Sequence, residues 1–138
     1  MRRIRPILGI VALMAVAGAA CSKDTAVATD MDAVGAFATE LVTKVKSAAD
    51  PSAGVADAQA HLDAHKAEIQ ERVARVSQVR GFQITDETKK KVADVMLSAA
   101  GQVNTLKISL MMQTIRDEAL DKSLNKLVDD FNALIKGT

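Results

Sequence analysis

Two histidines, His61 and His65, are the only imidazoles in the chain and stand four residues apart. On a helix that spacing places both rings on one side, about one turn apart, as helical zinc or copper ligands are often presented. Asp57 lies a turn before them and Glu68 a turn after, so carboxylate oxygen is within reach of the same region. The zinc-protease pattern needs a glutamate directly after the first histidine, and that residue is Leu62. His61 and His65 are therefore candidate metal ligands, against a plainer reading in which His65 edges a helix seam and His61 faces water. Met31, Met96, Met111 and Met112 could offer sulfur to a haem, but no Cys-x-x-Cys-His attachment motif occurs, and methionines in so aromatic-poor a chain serve as packing filler. No serine sits in a nucleophile-elbow context and no glycine-rich phosphate loop follows a strand pattern, so no enzymatic activity is expected. The basic run Lys89-Lys90-Lys91 could touch anionic headgroups but reads as a solvated face, partly neutralised by Asp86 and Glu87.

Cys21 is the single thiol. Before it come a basic head (Arg2, Arg3, Arg5), an apolar run from Ile7 to Ala17, and the small residues Gly18, Ala19 and Ala20. The arginines suit retention on the cytoplasmic side while the apolar run enters the export path. The run is shorter than the roughly 20 apolar residues a stable span requires. This stretch resembles the lipobox of bacterial lipoproteins, with Ala19, Ala20 and Cys21 in the expected places and Gly18 where a bulky residue is usual. The resemblance implies cleavage after residue 20, a diacylglycerol on the Cys21 sulfur and an acyl chain on its new amino terminus. Two or more acyl chains anchor stably where one is marginal. Under the sorting rule of many diderm bacteria, Ser22 after the cysteine points to the outer membrane, facing the periplasm. A plain signal peptide would instead leave a lone free thiol in an oxidising compartment.

Without residues 1–20 the chain has 118 residues, and the three arginines lost leave 15 basic against 17 acidic residues, a net charge of −2. A near-neutral surface argues against nucleic acid as a partner. Phe37, Phe82 and Phe131 are the only aromatic residues besides the histidines, which disfavours sugar platforms and aromatic ligand cages. One core of modest size is expected, held by packing without a disulfide.

The expected organisation is a signal peptide over 1–20, a lipidated cysteine and flexible tether over 21–29, and a helical domain over 30–138. Extended, the residues after the cysteine would reach about 26 Å. A first helix is expected from Thr29 or Asp30, with Val34, Phe37, Leu41, Val45 and Ala48 on one face, and Asp50-Pro51 ending it. A second runs from about residue 53 to Arg80 on the seam Val55, Leu62, Ile69, Val76, with Gly81 as a left-handed cap. Phe82 and Ile84 are expected to fold back on the core. Thr85 caps a third helix carrying Val92, Val95, Met96, Ala99, Val103, Leu106 and Leu110, with Gly101 inside it as a bend or a point of close packing. A fourth covers 117–135 with Leu120, Leu124, Leu127, Phe131 and Leu134 inward, closed by Gly137. The short links favour antiparallel neighbours, so the expected fold is all-α, an antiparallel up-and-down four-helix bundle. An alternative breaks the third helix at Gly101 and makes one long final helix.

At about 100° per residue, Ile108, Met111, Met112 and Ile115 fall opposite the Leu106–Leu110 stripe. A helix apolar on both sides is either buried on both or meets something else. The four residues are thus either a covered part of a central helix or a docking face for a protein partner or a second copy of the chain. The layout is similar to the small helical lipoproteins of unknown function found in bacteria, although the cysteine pair that joins helix ends in many of them is absent here. The resemblance implies a lipid-anchored envelope protein acting through protein contacts. The reading from another class is a periplasmic metal or small-ligand binder using His61 and His65.

Overall fold

The computed structural model describes residues 23–137. The signal-like stretch, Cys21 and Ser22 lie outside the described residues. Those residues are all-helical, with α1 (Asp24–Ser47), α2 (Pro51–Ser77), α3 (Asp86–Ser109), the one-turn α4 (Met111–Thr114) and α5 (Glu118–Lys136), and a 3-10 turn at Gly81–Gln83 between α2 and α3.

α1 packs against α2 and α3, and α5 packs against the same two. Val27, Met31, Val34, Ala38, Leu41 and Val45 recur every three or four residues along α1, and all are buried. They meet Val55, Ala58, Leu62, Ile69 and Val73 of α2, Ala99, Val103 and Leu106 of α3, and Leu120, Leu124, Leu127, Val128, Phe131 and Leu134 of α5 in a single core. Cross-helix bonds give the directions. Asp30 meets Arg72 and Arg75 while Glu40 meets His61, so α2 returns antiparallel to α1. Asp24 meets Thr85, Asp32 meets Lys91 and Thr39 meets Gln102, so α3 runs parallel to α1. Gln59 meets Asp130 and the Val73 side chain lies beside Gly137, so α5 runs parallel to α2. The pairs α1–α2 and, through Asn104–Asn132 and Lys107–Asp129, α3–α5 run antiparallel, whereas the neighbouring pairs α1–α3 and α2–α5 run parallel. The link over residues 78–85, which includes the 3-10 turn at Gly81–Gln83, carries the chain from the end of α2 to the start of α3.

Several boundaries differ from the sequence-based expectation. α1 begins at Asp24, so residues 24–29, expected as tether, are helical. Val27 is buried there and its N–H closes the first turn on the Lys23 carbonyl. Asp50-Pro51 starts α2 rather than only ending α1: the Asp50 carboxylate accepts from the N–H groups of Ser52 and Ala53, and Pro51 occupies a first-turn position where no N–H is needed. Gly81 does not form a left-handed cap. α2 stops at Ser77, and Gly137, with φ 73°, is the positive-φ residue among those described. Thr85 and Asp117 cap α3 and α5 through the N–H groups of Thr88 and Leu120. α3 is continuous through Gly101 and ends at Ser109. Near that end the hydroxyls of Thr105 and Ser109 bond back to carbonyls four residues earlier, as Thr29 and Thr39 do within α1.

Two glycines separate helix propensity from packing. A Cβ on Gly54 would lie 2.7 Å from the Ala48 Cβ and 2.9 Å from the Val45 carbonyl oxygen, neither of which can swing away. A Cβ on Gly101 meets nothing within 4 Å. Gly101→Ala is expected to stabilise the fold by about 1 kcal/mol in urea unfolding. Gly54→Ala is expected to destabilise it by about 2 kcal/mol, the clash outweighing the same propensity gain.

Candidate functional site

His61 and His65 do share one side of α2, with ring centroids 4.5 Å apart. Phe37 of α1 lies against both, at 5.3 Å from His61 and 6.0 Å from His65. Each imidazole faces a different carboxylate. His61 Nε2 is 2.9 Å from Glu40 Oε2, and His65 Nδ1 is 3.6 Å from Glu68 Oε2. Glu68 is also engaged by Arg72 at 2.7 Å, and that bond, with His65 behind it, holds its carboxyl below the usual range. Asp57 is exposed and takes no part in these contacts. Among the described residues no group of three or more His, Cys, Asp or Glu side chains is placed to hold a metal. The two rings are neighbours, as the spacing predicts, and each has its own carboxylate rather than a shared one.

The strongest electrostatic feature went unread in the sequence. Asp30, expected as an outer cap, lies one and a half turns inside α1 and is 7% exposed. Arg75 grips its carboxylate with two nitrogens, Nη2 at 2.7 Å from Oδ1 and Nε at 3.0 Å from Oδ2, and Arg72 adds Nη1 at 3.1 Å. The bonds from Arg75 are the main reason that the Asp30 carboxyl is held below its usual range. Glu68 and Glu71 pair the same two arginines one turn earlier on α2. The cluster fixes the register of α1 against α2.

The candidate docking residues sit where α3 gives way to α4. Ile108 is 74% exposed, Met111 52%, Met112 60% and Ile115 73%, while Leu106 is buried and Leu110 packs on the core. They do not line one continuous helix, because the chain breaks at Leu110. They cluster instead at the end of the bundle remote from Asp24. Leu97, 76% exposed, precedes Ile108 by 11 residues, which returns it to within about 20° of the same face of α3. Its place among the polar residues Asp94, Ser98 and Asn104 gave no sign of that. Phe82, expected in the core, is 75% exposed at the opposite end, whereas its neighbour Ile84 packs inward. In the basic run, Lys89 pairs with Asp86 and Lys91 with Asp32, and Lys90 is exposed.

No protein-family model matches the chain, and no curated protein or solved structure does so either. No helix among the described residues is long and apolar enough to cross a membrane.

Asp30→Asn is expected to lower stability at neutral pH by about 2 kcal/mol, since buried charge-assisted hydrogen bonds are lost. Because the folded pKa is depressed, the contribution of Asp30 is complete above the unfolded value near 3.9 and disappears as pH falls through the folded one. The gap in urea midpoint between wild type and variant should therefore be full at pH 7 and close in acid below about pH 4.

Proposed function

We propose that this protein is a lipid-anchored module of the bacterial cell envelope that acts without catalysis, as a scaffold or accessory subunit engaging a partner protein through Ile108, Met111, Met112 and Ile115. The anchoring half of the reading is supported by the order of basic head, apolar run, small residues and single cysteine over residues 2–21. Diacylglycerol and N-acyl chains on Cys21 are the only attached groups it requires, and Ser22 favours the periplasmic face of the outer membrane.

The docking half is carried by one observation: four large apolar side chains within eight residues, each more than half exposed, gathered at one end of the bundle. Scattered exposed apolar residues are ordinary, whereas a cluster of this kind marks a contact surface. Its occupant is a protein rather than the anchoring bilayer. Cys21 joins the chain beside the start of α1, where α3 also begins, and the cluster lies at the other end of α3, about 36 Å away for its 24 residues. Methionine side chains, flexible and polarisable, suit a partner surface of irregular shape.

The test is a photo-crosslinking amino acid in place of Met112 in the full chain, expressed in its own envelope. One discrete protein adduct is expected, strongly reduced by Ile108→Lys, with helicity by circular dichroism unchanged. An adduct of the chain with itself would identify the partner as a second copy. Crosslinks only to lipid, or a yield indifferent to Ile108→Lys in a folded variant, would overturn the docking surface.

A further inference from the structure

We infer that the end of the bundle carrying Phe82 sits in the headgroup region of the anchoring bilayer, so that the helices stand away from the membrane instead of lying along it. This orientation rests on the reading of Cys21 as the acylated residue.

Phe82 is 75% exposed, and the turn that presents it is closed on itself. The Gln83 N–H donates to the Arg80 carbonyl at 2.8 Å, and the Arg80 N–H donates to Gln83 Oε1 at 3.0 Å. The same turn sends Ile84 inward onto the core, so the outward direction of Phe82 is set by the backbone. Thr85 then donates to Asp24 through both its N–H, at 2.9 Å, and its hydroxyl, at 3.2 Å. The turn is thereby fastened to the first residue of α1. Cys21 precedes Asp24 by three residues. At a maximum of roughly 3.6 Å per residue, a link of three residues spans at most about 11 Å. A bilayer holding acyl chains on Cys21 is thereby kept near the end of the bundle that carries Phe82.

The side chains around Phe82 suit that surface. Lys23, Arg80 and Lys90 are exposed and form no ion pair among the described residues. Lys89 runs alongside the turn, where a Cβ on Gly81 would lie 3.7 Å from its Cε, and pairs with Asp86 at 2.7 Å. Asp24, Asp86 and Glu87 share this end, so the excess of positive charge is small. Burial of the phenyl ring is accordingly the main attraction, and anionic headgroups are a secondary one. An exposed ring flanked by long basic side chains is the pattern of an interfacial contact, the ring entering the acyl boundary while the charged heads stay among the phosphates.

The chain contains no tryptophan, so a single one reports without interference. Phe82→Trp and Ile115→Trp are made separately in the full chain, purified from membranes and reconstituted into vesicles containing phosphatidylglycerol and lipids brominated near the headgroup end of the acyl chains. The F82W protein is expected to show blue-shifted emission and to lose most of it to bromine quenching, while the I115W protein keeps its emission. Unquenched, water-like emission from F82W protein that still floats with the vesicles overturns the orientation and leaves the anchor standing. Equal quenching of the two variants places the bundle flat on the surface and overturns it as well. Protein that does not float with the vesicles overturns the anchor and the orientation together.

Discussion

The structure depends on burying the apolar stripe of α1 between α2 and α3. From Val27 to Val45 every inward position of that helix is shielded from water, and no disulfide holds it there. The core is built from short aliphatic chains, with Phe37 and Phe131 as its two aromatic side chains, their rings 6.5 Å apart across the centre. Aliphatic packing drives collapse but tolerates slippage between helices, because Val, Leu and Ala surfaces are much alike. Two features oppose that slippage. The Asp30–Arg72–Arg75 cluster has a favourable geometry at one height along α1 and α2, and Gly54 lets the start of α2 close onto Val45 and Ala48 at another.

What was legible in the sequence follows from which forces are local. Thr85 and Asp117 are recognisable as caps because a cap bonds within its own first turn, and the inward face of α5 is readable because Leu120, Leu124, Leu127, Phe131 and Leu134 repeat within one segment. Asp50-Pro51 is legible as a boundary, though as the cap and first turn of α2 it does more than stop α1. What escaped depends on partners distant in the chain. Residues 24–29 look like a polar tether until Val27 meets its neighbours and Asp24 meets Thr85. Asp30 looks like a cap until two arginines more than forty residues on enclose it. The stop at Ser109 lacks glycine and proline, and no local residue marks it. For the candidate site, the helical spacing made the two histidines legible as neighbours, but that His61 is the more buried of the two, and that it meets Glu40, emerges only from the packing of α1 on α2.

Exposed large apolar side chains gather at the two ends of the bundle. One end carries the start of α1, three residues from Cys21, together with Phe82 and its basic flank. The other carries Ile108, Met111, Met112 and Ile115. Between them the helix faces are occupied by ion pairs such as Lys91–Asp32 and Lys126–Asp130, which favour solvent over further contacts. Apolar exposure is thus concentrated at the ends, with Leu97 as the exception on the flank. That distribution suits a short spacer that holds a partner site at a fixed height above a membrane.

The proposed placement of the bundle on a membrane depends on acylation of Cys21. Intact-mass and terminal-peptide mass spectrometry of the protein purified from its own membranes tests that directly. The account predicts a mature chain beginning at Cys21, heavier than its polypeptide by a diacylglycerol and an amide-linked acyl group. A chain that begins elsewhere, or that carries a free thiol at Cys21, would contradict it.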